Sequence, residues 1–336
     1  MNASITSTFI RANEIWVPTT DGSLLEFGGG LYREAPRLGA VSAPLCFGRG
    51  EGLPGQAWEQ GVPVLISQWE GSGFRRTAAA KAAGLCCALA IPIFANEELR
   101  AVVVLFCGSP QAHAGAIELW RNKARVTPDM TLVDGYYGTP TGEPASTLEA
   151  LSREAFLPRG FGLPGMAWQQ DATVFMEDLT QSTHFLRAQA AAESGITRGL
   201  AMPCAVTTHD NYVVAFLSAL TTPIARRVEI WAPDASMERM ARRFGFCEAS
   251  GQLPLLTEGL ALGAYKATMS SSDRTSRAAT WGVIASAFMS GVPQITEHAF
   301  DEPGVGTSAK AAGLQSMLTI PVMSEGAVAE VLVLYF

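Results

Sequence analysis

Two arginines stand at matched places in this chain, each two residues after a phenylalanine: Phe74 with Arg76, and Phe185 with Arg187. Each pair opens an alanine-rich stretch, FRRTAAAKAAGL (74–85) and FLRAQAAAESGI (185–196). Turned inward, such a guanidinium offers a planar fork of donors to a carboxylate, nitrate or phosphate group. A solvated arginine at a helix start, or an ion pair between repeated units, is the other use of the same spacing. His184, directly before Phe185, is placed to assist an anion or a metal. Trp58 and Trp168 also match each other and are candidates to stack a planar ligand, although tryptophans at such positions commonly pack as core.

Other chemistries find less support. The four histidines, at 113, 184, 209 and 298, show no i,i+3 or i,i+4 pairing, so no metal site is expected. Glu177 and Asp178 have no counterpart in the equivalent Ser67-Gln68, which leaves paired-carboxylate catalysis without a repeated basis. Cys46, Cys86, Cys87, Cys107, Cys204 and Cys247 show no C-x-x-C spacing, and several sit in apolar runs where cysteine acts as a small hydrophobe. Gly50/Gly52/Gly55 and Gly160/Gly162/Gly165 each spell G-x-G-x-x-G. A dinucleotide site needs a strand before that run and a full helix within a βαβ unit after it. Here G-V-P-V follows the first glycine run within a few residues, leaving room for about two helical turns, so architecture is the better reading of the glycines.

The elements that must hold these residues repeat in fixed order. One copy runs NEIWVP (13–18), GEGLPGQAW (50–58), GVPVLI (61–66), the alanine-rich stretch, ALAIPI (88–93) and AVVVLF (101–106). A second runs IELW (117–120), GFGLPGMAW (160–168), ATVFMEDL (172–179), its own alanine-rich stretch, GLAMPC (199–204) and YVVAFLSAL (212–220). The third keeps VEIW (228–231), TWGVIASAF (280–288), SGVPQI (290–295), AKAAGL (309–314), LTIPV (318–322) and EVLVLYF (330–336), with Phe288 in place of the tryptophan and no L-P-G turn. Boundaries near Pro110 and Pro223 divide the chain into 1–110, 111–222 and 223–336.

Short β-branched and aromatic runs bounded by Gly and Pro read as strands, and the A-W-E-Q-G and alanine-rich stretches read as helices. Gly84, Gly195 and Gly313 fall where a left-handed residue would end the second helix of each copy. Without regular parallel crossovers, this order predicts an α+β fold on antiparallel sheets.

The set G-x-G-L-P-G-x-x-W, V-P-V-x-I, F-x-R-x-x-x-A-x-x-x-G-L and A-L-A-I-P-I resembles the GAF domain family. The resemblance spans about three quarters of each of the first two copies and about half of the third. The first copy, with IWVP before GLPG, is also similar to the GAF-like N-terminal region of plant nodule-inception-like regulators, which respond to nitrate. It implies three tandem GAF-like (PAS/profilin-like) domains, each a six-stranded antiparallel sheet with helices and loops enclosing a small-molecule pocket or mediating dimerisation. Trp58, Phe74, Arg76, Trp168, His184, Phe185 and Arg187 are then the ligand-binding candidates. No Cys is followed by His, as a bilin-attaching member would require, and the N-K…F-x-x-x-D-E pattern of cyclic-nucleotide binders is absent.

Composition sets the outer limits. With 336 residues, 48% hydrophobic and 16% charged, the chain has ample apolar surface for folded cores. A net charge of −7 without Lys/Arg runs argues against nucleic acid, and no apolar run approaches the ~20 residues of a membrane span. The expectation is a cytoplasmic, non-catalytic sensory or regulatory protein that binds a small molecule of unknown identity, signals to a separate output protein and is a possible homo-oligomer. The alternative is a self-associating scaffold with filled pockets, and a minor one is a thiol reductase of free methionine sulfoxide, a chemistry known from one small GAF-family enzyme.

Overall fold

The structure, a computed structural model, describes residues 7–108, 115–138, 147–204, 210–256, 259–262 and 282–336. The expected boundary at Pro110 and residues His113, His209, Thr280 and Trp281 lie outside them. The chain divides into two compact units, 1–224 and 225–336, and the first carries two sheets.

In the first sheet, β1 (Ile10–Pro18), β2 (Leu25–Leu31), β3 (Cys46–Phe47), β4 (Val64–Ile66), β5 (Cys87–Ala95) and β6 (Glu98–Cys107) lie in the order β3-β2-β1-β6-β5-β4. The second sheet repeats that order with β7 (Gly115–Asn122), β8 (Asp129–Tyr137), β9 (Phe156–Pro158), β10 (Val174–Met176), β11 (Ile196–Cys204) and β12 (Asn211–Ala219), running β9-β8-β7-β12-β11-β10. All pairings are antiparallel. The unit 225–336 holds β13 (Arg227–Pro233), β14 (Arg239–Cys247), β15 (Gly251–Gln252), β17 (Gln294–Thr296), β18 (Met317–Ser324) and β19 (Ala327–Tyr335) in the order β15-β14-β13-β19-β18-β17, with β16 (Leu260–Ala261) on β14. The α+β expectation therefore holds in each sheet.

Helices cover one face of each sheet: α1 (Pro36–Ser42), α2 (Gly52–Gln60) and α3 (Thr77–Ala82) on the first, α4 (Thr147–Glu154), α5 (Gly162–Gln170) and α6 (Ala188–Glu193) on the second, α7 (Val283–Ser290) and α8 (Gly306–Ala311) on the third. Residues on the opposite faces are buried too, for example Ile15, Leu89 and Leu105, or Ile230, Leu318 and Leu334. This two-sided burial explains why AVVVLF and its counterparts are continuous apolar runs and not alternating ones.

The helix after the glycine run is longer than the sequence suggested, because G-L-P-G is its first turn and not a loop before it. Pro54 and Pro164 sit in that first turn, where no intrahelical N–H is needed. Gly50 and Gly52 (φ 80° and 58°) and Gly160 and Gly162 (φ 86° and 64°) make the left-handed entry. A Cβ on Gly55 would lie 2.1 Å from the Gly48 carbonyl oxygen, and one on Gly165 2.4 Å from that of Pro158. The glycine signature is thus a demand for backbone room. In the third copy the L-P-G turn is gone, yet Gly282 (φ 77°) still opens the helix and Gly291 (φ 66°) closes it.

Candidate functional site

A glutamate at the same register point of each central strand organises the interior. Glu14 pairs with Gly30 and Val104, Glu118 with Gly135 and Ala215, Glu229 with Gly245 and Val333. Just after each glutamate the ladder is interrupted, between Ile15/Trp16, Leu119/Trp120 and Ile230/Trp231, which sharpens the local twist. The strand period puts residue i+2 on the glutamate's own face, so the tryptophan indole N–H donates to the carboxylate, at 2.9 Å in all three copies. All three carboxylates and indoles are fully buried.

Such a charge requires a counter-ion and a full set of donors. In the first copy Glu14 Oε1 accepts from Tyr32 Oη (3.0 Å), Ser42 Oγ (2.7 Å) and Arg76 Nη1. In the second, Glu118 Oε1 accepts from Tyr137 Oη (2.8 Å), Ser152 Oγ (2.9 Å) and Arg187 Nη1, while Oε2 accepts from Arg187 Nη2 (2.9 Å). Burial alone would raise the Glu118 carboxyl, but Arg187 together with the Trp120 and Tyr137 hydrogen bonds outweighs it and holds the group below its ordinary value. Burial, followed by the adjacent carboxylates, pushes the Tyr32 and Tyr137 hydroxyls upward.

The third copy assembles the same residue types from different positions. Val305 occupies the place of Arg76 and Arg187, eight residues before the helix-ending glycine, and the guanidinium comes instead from Arg227, where the other copies have Ala12 and Ala116. Arg227 Nε donates to Glu229 Oε1 at 2.9 Å, its Nη1 to Ser308 Oγ at 3.0 Å, and Arg242 adds a second guanidinium at 2.6 Å. The tyrosine has moved as well. Tyr335 Oη donates to Glu229 Oε2 at 2.8 Å from the β19 position that holds Phe106 and Leu217 in the other copies.

The candidate residues fall into two groups. Arg76, Phe74, Arg187 and Phe185 are buried on the inner side, with each guanidinium about 5 Å from its phenylalanine ring (4.9 and 5.1 Å). Trp58 and Trp168 are half-buried against their cores, and the Arg159 guanidinium lies 5.5 Å from the Trp168 ring. His184 is exposed, and its backbone carbonyl accepts from Gly162 N at 3.1 Å, tying the α5 entry to the next loop. The inward arginines meet a carboxylate of their own sheet, a use the F-x-R spacing alone did not suggest. The missed residues were Glu14, Glu118 and Glu229, and their signal was present as the thrice-repeated E-[IL]-W.

The first two copies differ at the guanidinium. Arg187 forks Glu118 with both Nη atoms, whereas Arg76 uses only Nη1, on Glu14 and Ser42. Arg76 Nε and Nη2 have no hydrogen-bond partner, although the residue is 5% exposed. Rings of Trp16, Phe47, Phe74 and Phe106 lie 4.9–5.7 Å from its Cζ. Around Arg187 only Trp120 and Phe185 do so among the described contacts, because Leu157 and Leu217 replace the Phe47 and Phe106 rings.

Among the described residues no group of three or more His, Cys, Asp or Glu is arranged to hold a metal. Cys46 is exposed and Cys86 half-buried, while Cys87, Cys107, Cys204 and Cys247 are buried. Burial pushes the Cys86 and Cys87 thiols upward and that of Cys204 up to about 12, which disfavours the thiolate. No helix among the described residues is long and apolar enough to cross a membrane.

No family model matches the chain, and neither does any curated protein. Solved structures do, and those similar to it include GAF domains. The Aquifex aeolicus nlh2 GAF domain, in an inactive state, is similar at 19% identity over 29% of this chain and 57% of that one, with a TM-score of 0.24. Free methionine-R-sulfoxide reductase from Neisseria meningitidis, in complex with its substrate, is similar at 15% identity over 33% of this chain and 55% of that one, TM-score 0.24. Staphylococcus aureus NreA mutated in its nitrate binding site is similar at 13% identity over 33% of this chain and 78% of that one, TM-score 0.26. The matched stretch is thus little more than half of the first two of these structures.

Proposed function

We propose that this is a sensory or regulatory protein, without catalytic activity of its own, that binds a small molecule on the inner face of its GAF-like sheets and passes the bound state to a separate output protein in the cytoplasm. The observation that supports this reading is the first-copy interior. A buried arginine there keeps two donors unpaired among aromatic rings, which is expensive in a core that exists only for stability, at about 1–3 kcal/mol for each unsatisfied polar group. Such a group calls for an explanation, and a bound ligand that satisfies both donors is one. A ligand with different affinity for two arrangements of α2 and α3 over the sheet would then bias the equilibrium between them.

Native mass spectrometry of gently purified protein tests the reading by recording excess mass per chain and oligomeric state together. A reproducible small-molecule adduct supports it. A clean unliganded chain, with no thermal shift across a metabolite panel, counts against it.

A scaffold is the second reading, and the second and third copies favour it for themselves: their buried arginines are met by Glu118 and Glu229 of the same sheet. A homo-oligomer in the same spectrum, unchanged by any ligand, is its expected signature. For the thiol reductase reading, absence of NADPH-coupled turnover with free methionine sulfoxide and thioredoxin is the expected outcome.

A further inference from the structure

The unpaired atoms of Arg76 are not an arbitrary two. Nε and Nη2 form one edge of the guanidinium plane, the edge that grips an acceptor side-on, while Nη1 is committed to Glu14 and Ser42. Walls of Trp16, Phe47, Phe74 and Phe106 surround the group, and Trp69 extends them, its ring 4.9 Å from that of Phe74.

Charge decides what this edge accepts. Glu14 already neutralises Arg76, and its carboxylate also collects the Trp16, Tyr32 and Ser42 donors, so it is fully committed as an anion. A second anion would leave one net negative charge buried, and the negative faces of the surrounding rings would add to its cost. A neutral carbonyl or amide oxygen satisfies both donors and leaves the site neutral.

We propose that the first copy binds a small neutral molecule of the amide or urea class, its oxygen held side-on by Arg76 Nε and Nη2 and its apolar part against the Phe74 and Phe106 rings. This rests on the binding reading above and narrows it to one copy and one ligand class. In the second copy both Nη atoms of Arg187 bond Glu118, and none of its nitrogens is a buried donor without a partner.

Acetamide and acetate have nearly the same shape and differ in charge, which makes them the deciding probes. Saturation-transfer NMR on the full chain should show acetamide binding at least tenfold more tightly than acetate. Arg187→Lys should leave the signal in place, and Arg76→Lys, which retains the positive charge but not the side-on edge, should remove it. Because Arg76→Lys risks unfolding the first sheet, Phe106→Leu provides a second variant: it installs the second copy's residue while leaving both Arg76 and Glu14 in place, and should weaken acetamide several-fold. Acetate binding as well as acetamide, no acetamide signal from the wild-type chain, or a signal indifferent to both variants overturns the proposal. If one of these occurs while native mass spectrometry still shows an adduct, the neutral-ligand assignment falls and the sensor reading stands. Without an adduct, both fall.

Discussion

At the scale of single residues, the three buried glutamates carry more than any other group in the chain. Each accepts hydrogen bonds on both carboxylate oxygens, so a glutamine there turns an acceptor into an NH2 that faces donors. Glu118→Gln also strands Arg187 as a buried charge, and a loss of about 3–5 kcal/mol is expected in denaturant unfolding. The pH dependence follows from the sign of the shift. The folded-state Glu118 is held below its ordinary value, so its contribution is complete above the unfolded pKa of about 4.3 and is lost as pH falls through the lower folded value. Melting temperatures followed from neutral pH to about pH 3 should therefore drop steeply in the acid range for the wild type and less steeply for Glu118→Gln. Trp58 and Trp168 set a different test at this scale. In a Trp58→Ala/Trp168→Ala double variant, retained ligand affinity with reduced stability would mark both as core, and lost affinity in a stable fold would mark them as ligand-facing.

At the scale of elements, the glycine run that resembles a phosphate loop is an instruction about how closely α2 and α5 approach the turn before them. A methyl group at Gly55 or Gly165 meets a backbone oxygen, which cannot rotate away as a side chain would. Gly55→Ala and Gly165→Ala should each cost about 1–3 kcal/mol through backbone displacement, measured by chemical denaturation, even though alanine ordinarily favours a helix. The strands and helices were legible because apolar runs, glycine stops and their threefold repetition are local signals. Gly84, Gly195 and Gly313, for instance, all take positive φ (67°, 69° and 64°) at the predicted helix ends. What the helix-start reading missed was the first turn, because Pro54 looks like a breaker until it is seen among the first residues of the helix. The ion pairs were hidden for another reason. Arg76 and Glu14 are 62 residues apart and meet only through the sheet order, so the F-x-R spacing revealed the arginine and not its partner. In the third copy alignment finds the glutamate but not its partners, since the arginine comes from β13 instead of a helix start and the tyrosine from β19, while the chemistry around Glu229 stayed the same.

At the scale of the whole molecule, the division into 1–224 and 225–336 makes each buried cluster a local matter of its own unit. Glu14 and Glu118 belong to the first unit and Glu229 to the second, where two guanidiniums, from Arg227 and Arg242, face a single carboxylate. Removing that carboxylate leaves two buried cations in place of one, so Glu229→Gln should be at least as damaging to its unit as Glu118→Gln is to the other. Because compact units with separate cores are expected to unfold with their own cooperativity, differential scanning calorimetry of the full chain should resolve more than one transition. Glu229→Gln should then lower one of them and Glu14→Gln another, each leaving its neighbour nearly in place. A single transition that both variants lower together would instead mean that the two units unfold as one. The free energy of a ligand bound at Arg76 would in that case stabilise residues 225–336 as well as its own sheet, and the shared transition would rise with ligand concentration.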